Sequence, residues 1–350
     1  MIKDCFILKV NTKNLIKNYN FFKNRKKNLI VAPTIKANAY GLGDKKIFNL
    51  LVKNNCKYFF VATLDEGIAL KNKNKKIKIF VLNGIQNYNH KIFMKYNIVP
   101  IINSLDELKR VKNTKLKIGL HIDTGINRLG ITYNNLPKII YNNIELILSH
   151  LSSADEKYNL YNDLQKNRFK YLSKLNKDKK IIYSLANSSG STLSKSYLFD
   201  MIRPGIGLYG GHNNNKILKK NLKPVVKLSC KIIQIKSINK NQYIGYNQTY
   251  KTNKKIKIAI IGAGYADGIP RILSNKGVVY YKKNKFKIIG RVSMDSFTID
   301  ISNSKNNLKI GSMIDIINHQ YGIEDFAVQC KTISNEVITS IGSRVKIIYE

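Results

Sequence analysis

Lys36 stands just after an apolar, strand-like run, inside the segment TIKANAYGLG, with Ile35 and Ala37 on either side. A lysine held in a partly desolvated site has a lowered pKa, and its amine can then attack an aldehyde to form a Schiff base. A lysine at the rim of a barrel can instead be there to make an ion pair. Position alone leaves both interpretations open.

Other polar residues follow strand-like runs in the same way, and in barrel enzymes the chemistry occurs at the carboxyl ends of the strands. They are Tyr40 after the first run, Asp123 and Arg128 after the fifth, His150 at the end of the sixth, Asn187 and Ser188 after the seventh, and Arg203 within the eighth. We expect these side chains to converge on one mouth. A single histidine is most often a core residue, but the place of His150 at the end of IELILSH favours a role in the site.

Two glycine-containing loops are typical of a phosphate site. ANSSG (186–190) follows the seventh run, and MIRPGIGLYGG (201–211) contains and follows the eighth. Barrels often bind phosphate with the backbone N–H groups of these two loops. One such loop alone would be an ordinary turn, whereas two after the appropriate strands favour phosphate binding.

Eight short apolar runs alternate with amphipathic helical patterns between residues 29 and 209, as buried parallel strands and crossover helices do. The runs are Leu29–Ile35, Tyr58–Ala62, Ile77–Leu82, Ile98–Ile102, Leu116–Ile122, Ile144–His150, Lys180–Leu185 and Met201–Leu208. The helical patterns include Lys45–Lys53, Ser104–Lys112, which opens with a capping-box signature, and Asn162–Leu175. An open doubly wound sheet would alternate too, but the repeat number and the lack of G-x-G-x-x-G favour a (β/α)8 TIM-type barrel.

After about residue 220 the rhythm changes to strand-like runs separated by Gly, Asn and Lys turns. The runs are Val225–Ile235, Ile256–Ile261, Gly277–Tyr281, Phe286–Val292, Phe297–Ile301 and Val345–Tyr349, and Gly322–Val328 is a helical pattern. We therefore predict a barrel domain over 1–220 and a mostly β C-terminal domain over 221–350, leaving open whether the first strand packs with the latter. The glycine-flanked segments GYNQTY and GYADGIPR present Tyr246, Tyr250, Tyr265 and Asp267 on tight turns.

The formal net charge of +40 by itself suggests a nucleic acid or an acidic membrane as partner. Lysine is spread along the whole chain beside abundant Asn, Ile and Tyr, as AT-rich coding would produce, so we expect no specific nucleic-acid partner. Isolated cysteines and dispersed histidines predict reduced thiols and no metal site. The absence of a signal peptide and of a long apolar run predicts a cytoplasmic protein with no membrane partner.

Together these segments resemble the alanine racemase family over nearly the whole chain. APTIKANAYGLG is similar to the cofactor-lysine motif of that family, and further matching blocks follow in the same order: HIDTGINRLG, LSHLSSADE, ANSSG, IRPGIGLYG, IGYNQTY, GYADGIPR and GRVSMDSF. Collinear motifs in this number are very specific. The resemblance implies an amino-acid racemase, an isomerase that uses pyridoxal 5′-phosphate to interconvert L- and D-alanine and supplies D-alanine for peptidoglycan.

The resemblance implies two catalytic bases. Lys36 would carry the cofactor as a Schiff base and act on the D-face, and Tyr246, from the second subunit of a homodimer, would act on the L-face. Two bases on opposite faces of a planar carbanion allow proton exchange that is not stereospecific. The domain 221–350 would therefore contribute to the active site of the partner subunit.

The resemblance also implies which residues bind the cofactor. Tyr40, Ser188 and the backbone around Gly205 and Ile206 would hold the phosphate, with Asn187 beside them. Arg203 would face the pyridine nitrogen and keep it unprotonated, which weakens the electron sink. His150 would link Arg203 to Tyr246 and tune the phenol, whose ordinary pKa is too high for an efficient base at neutral pH.

For the substrate, the resemblance implies that Arg128 and the backbone at Met294 receive the carboxylate, with Tyr265 and Asp295 in supporting roles. The chain departs from the family at three positions. His121 stands where a carbamylated lysine often orients the arginine, so another group, an anion or water, must position Arg128. Leu42 replaces a common histidine, and Ser343 a common tyrosine.

Three alternatives stay open at this stage. A racemase of the same architecture could act on serine or on a broader set of amino acids. A non-catalytic pyridoxal phosphate carrier would keep the barrel but would lack residues 221–350 and the base Tyr246. A nucleic-acid-binding protein would explain the charge but not the motifs.

Overall fold

The computed structural model describes residues 5–71, 76–135, 143–174 and 181–350. The chain divides into two compact units. One unit is Leu15–Lys223, and the other combines the N-terminal segment that ends at Asn14 with Pro224–Glu350. The division after residue 223 lies close to the boundary expected at 220. The N-terminal segment that ends at Asn14, however, belongs to the C-terminal unit and not to the barrel.

The first unit is built on a ring of parallel strands that succeed one another in chain order. The ring strands are β2 (Ile30–Val31), β3 (Tyr58–Val61), β4 (Lys78–Val81), β5 (Val99–Ile102), β6 (Ile118–Asp123), β8 (Ile144–Leu148), β9 (Ile182–Ser184) and β10 (Met201–Ile202). A parallel bridge between Thr34 and Phe60 connects the first ring strand to the second, and β7 (Ile131–Thr132) pairs with β6 off the ring. The predicted (β/α)8 barrel is confirmed.

Several ring strands are shorter than predicted. The run Leu29–Ile35 contributes only β2, and Met201–Leu208 contributes only β10 before a 3-10 helix over Ile206–Tyr209. Pro33 and Pro204 follow these strands, and proline cannot donate to a ladder. The residues after these prolines therefore do not continue the strands, and they can form the loops that carry the candidate site residues.

Helices cover the barrel between the strands. They are α1 (Thr12–Lys23), α2 (Asp44–Lys53), α3 (Leu64–Leu70), α4 (His90–Tyr96), α5 (Leu105–Val111), α6 (Leu160–Lys174) and α7 (Lys216–Asn221). Short 3-10 helices lie at Tyr133–Asn135, Gly190–Thr192 and Lys195–Tyr197. The end of one predicted helix at Leu175 and the start of one predicted strand at Lys180 lie outside the described residues.

The barrel interior is a packed apolar core. Side chains from around the ring form one buried cluster: Ala32, Phe60, Phe80, Val99, Ile101, Leu146, Leu148 and Met201. Full burial of a phenylalanine or leucine side chain contributes roughly 1.5–3 kcal/mol. The core therefore supports a rigid rim, on which the polar residues after the strands are displayed.

The second unit is a mostly antiparallel sheet. Its strands are β1 (Phe6–Val10), β11 (Val226–Ile238), β14 (Ile256–Ile261), β15 (Val278–Tyr281), β16 (Asn284–Ile289), β17 (Phe297–Asp300), β18 (Met313–Ile317) and β19 (Lys346–Tyr349). Their order in the sheet is β14-β17-β16-β15-β18-β11-β1-β19, and β11 also pairs with β14. The hairpin β12 (Tyr243–Ile244) and β13 (Tyr250–Lys251) is separate. The predicted mostly β C-terminal domain is confirmed.

The elements of this unit that did not emerge from the sequence pattern include the β12–β13 hairpin, the strand β18 and the helix α9 (Ser334–Thr339), which follows α8 (Ile323–Gln329). Strand β18 has Asp315 at its centre, and a charged residue there weakens a strand pattern. Neighbouring β11 supplies the partners, because the Ser229 hydroxyl donates to Asp315 at 2.7 Å and Lys227 lies 3.1 Å from it. Within the described ranges no helix has the length and hydropathy needed to cross a bilayer.

Candidate active site

Lys36 opens a left-handed helical turn over Lys36–Tyr40. Residues 37–40 have φ values of 52°, 54°, 51° and 58°, and Gly41 follows at 81°. For L-residues this conformation costs roughly 1–2 kcal/mol each, so it persists only where the surroundings hold it. Strain of this kind concentrates at functional sites. Among the residue types in KANAY only asparagine adopts this conformation with any frequency, so the sequence does not predict the turn.

Glu66 holds the turn that carries Lys36. Its Oε1 accepts from the Ala37 amide at 2.7 Å, and its Oε2 accepts from the amides of Ala62 and Thr63 at 2.7 and 3.3 Å. Glu66 also completes a capping box with Thr63 at the start of α3. Glu66 is not among the predicted site residues, although the pattern Thr-x-x-Glu before an apolar run is a sequence signal for its capping role.

The Lys36 amine is electrostatically prepared as a nucleophile. Burial lowers the pKa of Lys36, the positive charge of Arg128 lowers it further, and Glu66 acts in the opposite direction. A lowered pKa leaves a larger fraction of the amine unprotonated at neutral pH. Of the two interpretations left open above, the electrostatics therefore favour the nucleophile.

The loops after the last two ring strands are joined by hydrogen bonds to the Ser188 hydroxyl. Its Oγ accepts from the amides of Gly205 and Gly207 at 3.0 and 3.1 Å. A hydroxyl that accepts twice keeps its own proton for a third partner. Asn187 accepts from the Gly190 amide at 2.8 Å and thereby fixes the same loop.

A small cradle lies where Tyr40 meets this loop. A Cβ placed on Gly205 would lie 2.3 Å from the Tyr40 hydroxyl, so only glycine fits. Burial raises the pKa of Tyr40 to about 12, and the phenol therefore stays a hydrogen-bond donor. The Ile206 amide opens the 3-10 helix Ile206–Tyr209. Hydroxyl and backbone amide groups of this kind are suited to binding a phosphate group.

Arg203 is buried, with 5% of its surface exposed. Its Nη1 donates to the carbonyl and hydroxyl of Ser184 at 2.9 and 2.6 Å, and its Nη2 donates to the Ser149 carbonyl at 2.5 Å. Burial lowers the pKa of Arg203 to about 9, which leaves it charged at neutral pH. The orientation of the guanidinium is thus determined by backbone groups of the two preceding ring strands.

His150 lies next to Arg203. Its Nδ1 is 3.4 Å from Nη2 of Arg203, and because an arginine N–H can only donate, Nδ1 accepts and the ring proton lies on Nε2. Burial and then the charge of Arg203 hold the pKa of His150 well below its ordinary value. His150 is therefore a neutral donor through Nε2.

His121 is neutral as well, but with the opposite tautomer. Asn103 donates both amide protons to the carbonyls of Leu82 and Ile101, so its Oδ1, 2.9 Å from His121 Nδ1, must accept. Burial and then Arg203 lower the pKa of His121 to about 3. Its buried Nε2 is unprotonated and has no hydrogen-bond partner among the residues that the structure describes.

Asp123 and Arg128 belong to the loop that follows β6. Asp123 Oδ1 accepts from the amides of Gly125 and Ile126 at 2.8 and 2.9 Å and so makes a turn, which leaves Arg128 exposed. Arg128 affects the pKa of Lys36 and of both histidines, His121 and His150. The predicted convergence of the polar residues after the strands is therefore found in this unit.

The C-terminal unit displays its predicted site residues on its surface. Tyr246 is 68% exposed on the 3-10 turn Tyr246–Gln248, after Gly245 at φ 76°. Met294 and Tyr265 are 53% and 45% exposed. Their placement against another subunit stays a prediction.

Asp295 meets a residue that the sequence analysis did not single out. Arg344 donates to Asp295 at 2.7 Å and to Asp267 at 2.9 Å. Because Arg344 and Asp267 are 77 positions apart in the chain, no local sequence pattern predicts their contact.

Fold and site together define a (β/α)8-barrel protein that has, at the carboxyl ends of its strands, a lysine of lowered pKa and hydroxyl and amide groups of the kind that bind phosphate. The family model described as "Alanine racemase, N-terminal domain" matches residues 10–213, and "Alanine racemase, C-terminal domain" matches residues 225–349. The chain therefore belongs to the alanine racemase family.

Individual relatives agree with this. Alanine racemase from Rickettsia bellii is 38% identical over 92% of this chain and 82% of its own, and that from Brucella abortus is 35% identical over 98% and 93%. The crystal structure of alanine racemase from Bartonella henselae with covalently bound pyridoxal phosphate has a TM-score of 0.92 at 31% identity, covering 99% of both chains. Alanine racemase from Clostridium difficile has a TM-score of 0.89 at 28% identity, covering 100% of this chain and 97% of its own.

Proposed function

We propose that the protein is an alanine racemase, which interconverts L- and D-alanine with pyridoxal 5′-phosphate and supplies D-alanine for peptidoglycan. The observation that carries the proposal is the Lys36 amine, its pKa lowered, on a strained turn that leads directly to the Tyr40 cradle. The Bartonella henselae enzyme, with its covalently bound pyridoxal phosphate, supports the same cofactor here.

The residues present fit that cofactor. The Lys36 amine is suited to an aldehyde, while the Tyr40 and Ser188 hydroxyls and the Ile206 amide are suited to a phosphate. Arg203 supplies a donor that stays charged for the ring nitrogen. When bound, pyridoxal phosphate withdraws electrons from the substrate and makes its Cα proton acidic.

Two side chains of the dimer move the proton. Lys36, with its lowered pKa, takes or returns the proton on the D-face. Tyr246 of the partner subunit does so on the L-face, and its exposure of 68% in one chain suits a residue that is used by another. Racemisation needs both faces, because a single base would return the proton to the side from which it came.

Arg203 and His150 set the electrostatics of the site. Because Arg203 remains protonated, it would serve the ring nitrogen of the bound cofactor as a hydrogen-bond donor and would leave that nitrogen without a proton of its own. His150 accepts from Arg203 and has its Nε2 proton free to donate to the phenol oxygen of Tyr246 of the partner subunit. A donor to the phenolate lowers the pKa of the phenol and makes it a better base at neutral pH.

The substrate carboxylate is bound by Arg128 and by the backbone at Met294 of the partner subunit. Arg128 is exposed, so it is accessible to a carboxylate. His121 carries no positive charge that would repel this arginine, because its lowered pKa keeps it neutral. Tyr265 and Asp295 shape the loops around Met294.

We further infer a homodimer in the cytoplasm. A second chain is required because Tyr246 and Lys36 serve the same substrate from opposite faces. Cys5, Cys56, Cys230 and Cys330 are free thiols, which suits a reducing compartment. Sedimentation of the purified protein tests the dimer.

The decisive experiment is a racemisation assay on purified protein, with and without added pyridoxal phosphate, using L-alanine and L-serine in parallel. We expect cofactor-dependent formation of D-alanine, faster than that of D-serine. Faster turnover of serine would change the substrate, and no racemisation of either amino acid would overturn the proposal.

A further inference from the structure

Three loops of the C-terminal unit meet around one arginine. They are residues 264–268, 293–295 and 340–344, which we call the three-loop cluster. Arg344 Nε and Nη2 donate to the two oxygens of Asp267, each at 2.9 Å, and Nη1 donates to Asp295 Oδ1 at 2.7 Å. One guanidinium thus joins all three loops.

The two carboxylates differ in their surroundings. The Asp267 side chain is 5% exposed and also accepts from the Gly264 amide at 2.9 Å, whereas the Asp295 side chain is 63% exposed. The contact with Asp267 is the stronger one, because it is bidentate and its carboxylate is buried, although the Arg344 side chain is itself 52% exposed. The contact with Asp295 adds orientation more than stability.

The backbone of the cluster is in close contact as well. The Tyr265 amide donates to the Ser293 carbonyl at 3.0 Å, and the Ala266 amide donates to the Met294 carbonyl at 3.1 Å. A Cβ on Gly264 would lie 2.3 Å from both of those carbonyl oxygens. The loops therefore fit in one register, and a shift of one moves the other.

We propose that Arg344 is a positioning residue that holds the backbone at Met294 in register with Tyr265 for binding of the substrate carboxylate. The inference rests on the proposed function, in which Met294 receives that carboxylate. Arg344 itself touches neither substrate nor cofactor. It acts through Asp267 on one loop and through Asp295 on the other.

Three variants remove different parts of the Arg344 contacts, and a fourth variant serves as the control. Arg344→Ala removes all three hydrogen bonds, Arg344→Lys keeps the charge but loses the planar fork, and Asp295→Ala removes only the exposed contact. Lys227→Ala breaks an ion pair of 3.1 Å with Asp315 elsewhere in the same unit. The measurements are KM and kcat for L-alanine, the cofactor absorbance, sedimentation, and hydrogen exchange at the amides of Tyr265 and Ala266.

We expect Arg344→Ala to raise KM by about ten- to a hundred-fold, since small misplacements of binding groups have effects of this size. Its kcat, cofactor absorbance and dimer should stay near wild type, while exchange at both amides becomes faster. Arg344→Lys should lie between this variant and wild type, Asp295→Ala closer to wild type, and Lys227→Ala should match wild type throughout.

Unchanged KM and unchanged amide exchange in Arg344→Ala would overturn the inference. Loss of the cofactor absorbance or of the dimer at an unchanged KM would overturn it too, because the role would then be structural only. If the wild type does not racemise alanine while Arg344→Ala still accelerates exchange at both amides, the proposed function fails and the loop-holding role of Arg344 stands.

Discussion

The candidate functional residues of the barrel are mostly buried, whereas those of the C-terminal unit are mostly exposed. In the barrel, Arg203 and His121 are 5% and 6% exposed, and their hydrogen bonds to the protein select one orientation or tautomer. In the C-terminal unit, Tyr246 and Met294 are 68% and 53% exposed. The barrel residues are thus held in place within one chain, and the exposure of Tyr246 and Met294 is what the proposed dimer requires, in which a second chain uses these residues.

The candidate site residues of the barrel also have pKa values that differ from their ordinary ones. Burial is the leading cause for Lys36, Arg203, His121 and His150, all of which lie in the barrel unit. Desolvation disfavours the charged form, so the two histidines are neutral and the lysine is readily deprotonated. The contrast between the units can be tested one residue at a time, from the largest expected effect to the smallest.

Replacing the barrel nucleophile should have the largest effect. Lys36→Ala removes the amine that we propose holds the cofactor, so we expect racemisation to fall by at least about 10⁴-fold, as for other residues that form a covalent bond to the reacting group. The absorbance band of lysine-bound pyridoxal phosphate, near roughly 420 nm, should disappear. An activity assay and a spectrum measure both. Retained racemisation by this variant would show that the nucleophile has been assigned wrongly.

Replacing the exposed phenol should separate cofactor binding from catalysis. Tyr246→Phe should keep the absorbance band but slow exchange of the L-alanine Cα proton by about 10²- to 10⁴-fold, the usual contribution of a general base. Solvent deuterium incorporation measures the exchange. The control is Tyr243→Phe, a tyrosine of the same unit that is 52% exposed. Normal exchange in Tyr246→Phe would exclude this residue as the second base.

Weakening the support of the left-handed turn should have a moderate effect. Glu66→Gln exchanges one accepting oxygen for an NH₂ group that faces backbone donors, so we expect a loss of about 1–3 kcal/mol in the free energy of unfolding and weaker cofactor binding. Chemical denaturation and cofactor titration measure these two quantities. The control is Asp65→Asn, an exposed residue of the same helix. If both variants bind the cofactor like wild type, Glu66 does not control the turn.

The buried histidine should give the smallest effect at neutral pH and a growing one in acid. The pKa of His121 is about 3 in the folded chain, below the ordinary value of 6.5, so the unfolded chain binds the proton more readily. The stability it contributes is complete above about pH 6.5 and decreases by about 1.4 kcal/mol per unit as pH falls toward 3. His121→Asn should flatten the decrease, measured by denaturation between pH 4 and pH 8. His319→Asn, at an exposed position of the other unit, should leave it unchanged.

Much of the architecture could be predicted from the sequence because it depends on short-range patterns. Apolar runs of strand length, separated by amphipathic helical patterns, are sufficient to predict parallel strands and their crossovers. Barrel geometry then brings the residues after the strands together, which is why Lys36, His150 and Arg203 could be grouped. The run around Asp315 was missed because its polar partners lie on a strand that is distant in the chain.

The sequence by itself determined the class of fold, the order of the motifs and the choice of Lys36 as the candidate nucleophile, since each depends on residue type and local spacing. Tertiary structure decided the left-handed turn after Lys36, the tautomers of His121 and His150, and the contact between Arg344 and Asp267. The opening strand β1 also joined the C-terminal sheet by pairing with β11 and β19. The physical reason is common to all of these, because a strained backbone, a ring proton and a long-range ion pair are set by neighbours that only the folded chain brings within hydrogen-bond distance.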